Sequence, residues 1–352
     1  RVNNRLSVTG QPCRFRHMEF DKEQMRQPKI ITTLQEYSWS LFLSDSLAGL
    51  SVAMVALPLS LAIAIASGAD PAQGLVTAIV GGLFISLMGG SRVQIGGPTG
   101  AFIVVVFGVI TEHGYDGLVL ATFMAGILLL LAGYFRICNL ISYVPESVVN
   151  GFTIGIAIII ATSQLKDILG LTDPAMPADF IGKMSALWAA RGDINLSALA
   201  LGLLTIGLIV VLRKAAPRFP GLIVAMACVS GMAAYMGLSV DTIVSRFGEL
   251  PSQLPMPALP VVTVDRMIEL FPSAIVIAFL AGVESLLSAM VADRMIDGHH
   301  RPNAEVMAQG FGNIASSVFG GLPVTGAIAR TATNIRAGGR TPVAGIVHAL
   351  VI

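Results

Sequence analysis

Charge is what this sequence has least of: Asp, Glu, Lys and Arg supply 12% of 352 residues, against 54% hydrophobic residues. A soluble domain carries about 25% charge. With a mean hydropathy of +0.78, the chain reads as an integral membrane protein. Its formal net charge is +1, which leaves no basic face to neutralise phosphates and excludes a nucleic-acid partner. Cysteine is scarce. Cys13, Cys138 and Cys228 lie far apart without CxxC spacing, which argues against a disulfide framework or a thiolate metal site and leaves packing as the expectation for the last two. No nucleophile–base pair, phosphate-cradling glycine loop or metal cluster stands out, so an enzyme, a metal or a cofactor has no support. His299 and His300 beside Arg301 read as a solvated turn. The first residues are polar and charged, unlike a cleavable signal peptide, and the start at Arg1 rather than Met points to a missing original N-terminus.

What is present is a series of apolar runs. A spanning helix needs roughly 20 mostly apolar residues, and charge-free runs of that order occupy 46–69, 71–91, 117–135, 147–165, 194–212 and 219–240. Pro58 predicts a kink in the first. Residues 267–292 form another run, interrupted by Glu269 and Glu284; 303–321 starts polar at Asn303 and Glu305. Residues 1–44 read as a soluble tail ending in an interfacial segment with Trp39 and Phe42 at headgroup level. Asp45 reads as a helix N-terminal acid. With the N-terminus inside, sixteen of the 22 Lys and Arg fall on inner segments and five on outer ones, and the excess survives removal of the tail. A cytoplasmic N-terminus follows.

Two stretches break the pattern: Gly96-Gly97-Pro98-Thr99-Gly100-Ala101 and Leu322-Pro323-Val324-Thr325-Gly326-Ala327-Ile328-Ala329-Arg330-Thr331. Each carries a proline, then Thr-Gly-Ala, then a helix-forming run. Proline lacks the N–H a helix needs, and glycine costs roughly 1 kcal/mol in a helix interior. Each stretch is therefore expected to interrupt a span, with a half-length helix from about Ala101 in the first case. A helix start leaves free N–H groups and a positive partial charge, which suits an anion. Corresponding breaks in two halves of a membrane protein point to a transporter's binding site. A pair of tight interhelical turns is the plainer alternative.

Arg330 is anomalous, because an intramembrane arginine costs several kcal/mol or more. It lies one turn beyond the second break, where it either meets an anion, pairs with Glu284, or snorkels to the inner surface. Glu284, in Ala281-Gly282-Val283-Glu284-Ser285, is a desolvated carboxyl group suited to taking up and releasing a proton, or else half of an ion pair with Arg330. Ser288 shares its face at i+4. Asp293 and Arg294 are placed at the inner end of that helix. Ser60 either lines a cavity or bonds its own backbone, Gln94 is within reach of the first break, and Gly151 and Gly155 read as a packing face.

These motifs carry a family resemblance. The first break, Gly282-Val283-Glu284-Ser285, the second break with Ala329-Arg330-Thr331-Ala332-Thr333-Asn334, and Tyr143-Val144-Pro145-Glu146-Ser147-Val148-Val149-Asn150-Gly151-Phe152-Thr153 resemble the SulP family of anion permeases, from about residue 44 to the end. The resemblance implies an all-α integral membrane fold of fourteen segments in two inverted repeats of seven, with two half-helices meeting head-on at mid-membrane. It divides the chain into a cytoplasmic tail, 1–44, and a transporter domain, 45–352, with core segments at about 45–135 and 267–352 and gate segments at about 140–240. It places Gly97, Thr99, Gly100 and Ala101 on one side of an anion and Ala327, Ile328, Ala329, Arg330 and Thr331 on or near the other. Glu284, with Ser288, is implied in coupling to a proton or cation. The expected function is secondary active transport of sulfate or a related oxyanion in symport with protons. Sodium-coupled bicarbonate uptake, or an anion channel or exchanger, is the competing reading. The expected setting is the bacterial inner membrane, and a homodimer is compatible with the family. Only ten segments and the start of an eleventh are counted, so the chain is expected to be a fragment lacking the last segments and a cytoplasmic STAS domain.

Overall fold

The computed structural model describes residues 27–136, 146–171, 180–215, 221–242, 244–245, 248 and 253–352. The tail up to residue 26, Cys13, Cys138 and the segment Tyr143-Val144-Pro145 lie outside the described residues. A short helix α1 (Lys29–Thr33) precedes α2 (Trp39–Ala66), whose first turn is capped by Ser38 accepting from Leu41 N. The spanning helix thus begins ahead of residue 45. Asp45 does not cap it. Fully buried in the second turn of α2, its carboxylate accepts from the backbone N–H groups of Arg340 and Thr341, the Thr341 hydroxyl and Tyr37 Oη. Trp39 and Phe42 stack with ring centres 5.1 Å apart, and Trp39 is left exposed. Pro58 sits inside α2 without ending it.

Helix α3 (Pro71–Val76) opens with a capping box from Asp70 and Gln73, then passes through a π-turn (Thr77–Gly81) into α4 (Gly82–Met88). The strand β1 (Gly96–Gly97) follows, then a 3₁₀ turn (Gly100–Phe102) and α5 (Ile103–Tyr134). The expected half-helix and the next span are therefore continuous, but broken at Gly114, where φ 74° and ψ 176° suit only glycine. Beyond it lie α6 (Glu146–Leu169), α7 (Phe180–Ala189), α8 (Leu196–Ala215) and α9 (Gly221–Tyr235). Helix α7 falls in what reads from sequence as an outer loop, because Lys183 and Arg191 interrupt its apolar pattern. With the turn after it, it is bent 114° from α8. Then come α10 (Val264–Ile296), α11 (Pro302–Val318), β2 (Thr325–Gly326), α12 (Ile328–Arg336) and α13 (Val343–Val351).

Among the described residues, four helices are long and apolar enough to cross a membrane, or five if the bent pair counts as one span. The core is formed where α10 and α11 pack on α5, with Leu118, Leu120, Ala125, Leu129, Leu270, Ile277 and Val306 at its centre. Glycine sets that crossing: a Cβ at Gly126 would overlap α11 at Gly310 and Ile314, and one at Gly133 would overlap Met307. Small residues let membrane helices approach this closely. The outer faces remain apolar, with Phe107, Ile127, Leu203, Ile206, Val211 and Phe279 exposed, as lipid contact requires. Cys228 is exposed on α9 rather than packed as expected. A Cβ at Gly151 or Gly155 would meet nothing within 4 Å among the described residues, so the expected packing face has no partner there.

Candidate anion site

The two breaks meet. Gly96 lies opposite Gly326 and Gly97 opposite Thr325, so β1 and β2 form a two-residue antiparallel ladder, which Ala327 N extends to Ile95 O at 2.9 Å. Non-helical backbone at membrane depth must find partners within the protein, and each break supplies them to the other. Side chains complete the set. Asn313 donates to Val324 O at 2.7 Å and accepts from Val324 N at 3.0 Å, Asn334 donates to Val93 O, and Thr325 Oγ1 donates to Ala281 O.

A helix starts immediately beyond each strand, and neither start is capped by a side chain. The first N–H groups of α12 and of the turn leading into α5 thus keep their hydrogen-bonding capacity. Thr99, at the cap position, instead donates from Oγ1 to Glu284 Oε2 at 2.8 Å. Glu284 is only 2% exposed on α10 and Arg330 only 1% exposed on α12. Arg330 Nη2 donates to Ser60 Oγ at 3.0 Å, and Ser60 Oγ in turn donates to Ala56 O at 2.6 Å. Ser60 therefore bonds its own backbone, as one of the two readings expected, while also accepting from Arg330. Arg330 does not snorkel, and among the described residues it makes no direct ion pair with Glu284; its Nε and Nη1 are buried with no hydrogen-bond partner among those residues.

Two glycines leave room for this arrangement. A Cβ on Gly97 would overlap the Arg330 guanidinium, and one on Gly326 would overlap the Gln94 amide. Gln94 Nε2 donates to Ser285 O and Oγ at 3.2 and 3.0 Å, so it joins α10 to the first break. Thr331 Oγ1 accepts from Ile95 N at 3.1 Å and from Ser288 Oγ at 3.4 Å. Ser288 thus touches the second break and not Glu284. Gly97, Thr99, Glu284, Ser288, Arg330 and Thr331 are brought into one cluster, with buried Gly100 and Ala327 beside it. Ala101 and Ile328 are half-buried and Ala329 is exposed, so one side of the paired helix starts stays open.

Sequence reasoning missed Glu305. Fully buried, it accepts from Gly90 N and Ser91 N at 2.9 and 3.0 Å, from Gln309 Nε2 at 2.7 Å and from Ser285 Oγ at 3.2 Å. The stripe Glu305, Gln309, Asn313 and Ser317, every fourth residue of α11, was the signal that could have found it. His348, fully buried on α13 with both ring nitrogens unpartnered among the described residues, carried no such signal. His300 is held in its turn, with N and Nδ1 bonded to Asp293 Oδ2 at 2.9 and 2.6 Å.

Lipid-facing helices around two broken, mutually paired segments, with a buried guanidinium at their junction, define a polytopic membrane protein of the broken-helix class. Comparison with known sequences makes this specific. The chain belongs to the sulfate permease family, whose profile matches residues 42–352. It is 43% identical over 317 residues to YvdB of Bacillus subtilis (strain 168), whose name assigns it to sulfate transport, covering 90% of this chain and 60% of that one. It is 34% identical over 316 residues to the bicarbonate transporter BicA of Synechocystis, covering 88% and 55%. The chain thus spans about 55 to 60% of these relatives. The transmembrane domain of a cyanobacterial BicA superposes with a TM-score of 0.70 at 32% identity, covering 90% of this chain and 81% of that one. The murine anion transporter Slc26a9, in its inward-facing state, gives 0.72 at 18% identity over all of this chain and 63% of its own, which is a likeness of fold.

Proposed function

We propose that the protein is a secondary active transporter of a small inorganic anion, sulfate or a related oxyanion, in symport with protons. The observation that carries the reading is the buried Arg330 guanidinium, whose Nε and Nη1 are unpartnered where two uncapped helix starts converge. A buried guanidinium with unsatisfied N–H donors in an apolar medium is costly, and an anion held by those nitrogens and the free helix N–H groups offsets the cost. Gly97, Gly100, Ala101, Ala329 and Thr331 would surround the anion. Thr99 would couple it to Glu284, which would carry the accompanying proton. Core segments at about 45–135 and 267–352 would move the anion past gate segments at about 140–240 in alternating access, with the N-terminus on the cytoplasmic side of a bacterial inner membrane. A homodimer would fit this scheme without being required by it.

Uptake of radiolabelled sulfate by the full-length protein in proteoliposomes under an inward proton gradient tests this directly. We expect gradient-dependent accumulation that is lost in Arg330→Ala, and loss of the gradient dependence in Glu284→Gln. Sodium-driven bicarbonate uptake with no response to sulfate would favour the second reading, which the likeness to BicA supports. Flux that never accumulates against the gradient would make the protein a channel.

A further inference from the structure

The N-terminal segment is tied both to the connection after α4 and to the start of α11, and these two also bond each other. Lys29 N donates to Gly89 O at 2.9 Å, Arg301 N donates to Gly90 O at 3.0 Å, and Arg301 Nη1 donates to Gln27 O at 2.8 Å. The turn they grip is itself rigid, because Gly90 N and Ser91 N are tied to the buried Glu305 carboxylate. The result is that Lys29, Arg92 and Arg301, from three separate parts of the chain, are held side by side. Burial first, then the charge of Arg301 and Arg92, lowers the Lys29 ammonium from its ordinary value; burial and then Arg92 lower Arg301. Asp293 is the acid within reach of Lys29, and His300 already occupies it. Among the described residues, the other carboxylate at this turn, Glu305, is taken up by Gly90 N, Ser91 N, Gln309 and Ser285, so three crowded cations are left as a site for an anion outside the transport pathway.

The surroundings identify which anion. In the chain that follows Lys29, Ile31 and Leu34 on and after α1 and Trp39 and Leu43 at the start of α2 are large, apolar and exposed. Apolar side chains with a tryptophan at a helix entrance mark the lipid–water boundary. We propose that Lys29, Arg92 and Arg301 form a binding site for the phosphate group of an anionic phospholipid, whose chains lie along the exposed start of α2. The orientation proposed above places it in the inner leaflet, where anionic lipid attracts juxtamembrane Lys and Arg. The site is independent of whichever anion is transported.

Native mass spectrometry of the full-length protein released from nanodiscs of mixed phosphatidylglycerol and phosphatidylcholine tests the site. We expect one retained phosphatidylglycerol per chain, with occupancy falling about fivefold for Lys29→Gln and again for Arg92→Gln. The exposed Arg336 on α12 provides a control of equal charge change, and Arg336→Gln should leave occupancy as it was. Equal retention in the wild type and the Lys29→Gln/Arg92→Gln double variant would overturn the proposal, as would equal loss in Arg336→Gln. Displacement of the lipid by millimolar inorganic phosphate would overturn the lipid assignment and leave a soluble phosphate site. Because the readout is bound lipid, a failure here is distinguishable from a failure of sulfate uptake.

Discussion

A methyl group at position 97 would overlap the guanidinium of Arg330, so Gly97→Ala must displace the buried cation from Ser60 and from the uncapped helix starts together. We expect sulfate uptake by the full-length Gly97→Ala protein to fall more than tenfold while its melting temperature stays close to the wild type. Ser60→Ala removes only the acceptor of Arg330 Nη2. A hydrogen bond to a charged group contributes about 1.5–3 kcal/mol, so the apparent affinity for the anion should weaken roughly tenfold with little change in maximal rate. A Gly97→Ala protein with normal uptake would remove Arg330 from the site. Arg330 was legible in the sequence, because a charge inside an apolar run is visible without knowing its neighbours. Gly97 was legible as a helix breaker and, through the family resemblance, as a neighbour of the anion. Its close approach to a side chain from the far end of the chain, like the Ser60 contact, exists only after folding.

The two breaks announced themselves through Pro98, Pro323 and the flanking glycines, yet their pairing as β1 and β2 did not. A two-residue strand has no periodicity, and its partner lies in the other half of the chain. Helix α7 was hidden for a different reason, since its apolar run is short and Lys183 and Arg191 made it resemble a loop. The same holds for Asp45, whose position at the edge of a run suggested a cap for its own helix, while its partners are Arg340 and Thr341. Glu305 shows what such long-range acceptors do for whole elements: it fastens the α4–β1 connection to α11 and, through Ser285, to α10. Removing it strands several buried donors, and breaking a buried charged network costs about 3–5 kcal/mol. Glu305→Ala should therefore melt well below Glu305→Gln, which keeps one acceptor oxygen. Indistinguishable melting of the two variants in the same detergent would contradict this role.

At the scale of the molecule, composition alone was enough to place the chain in a membrane, and the lipid-facing side chains of α5, α8 and α10 bear that out. The paired breaks give the interior two kinds of backbone amide a few ångströms apart. Those of Gly97, Thr325 and Ala327 belong to the hydrogen-bonded pairs of the cross-strand ladder and its extension, and should open to deuterium only when both halves of the chain separate. Those of Ile328, Ala329 and Arg330 lie at an uncapped helix start with no intrahelical acceptor, and should exchange fast until sulfate is added. Isotope labelling with and without sulfate would then read the occupied site as a selective slowing at residues 328–330 against a constant background at 325 and 327. The same stretch of chain would thus serve as both the reporter and its own internal standard.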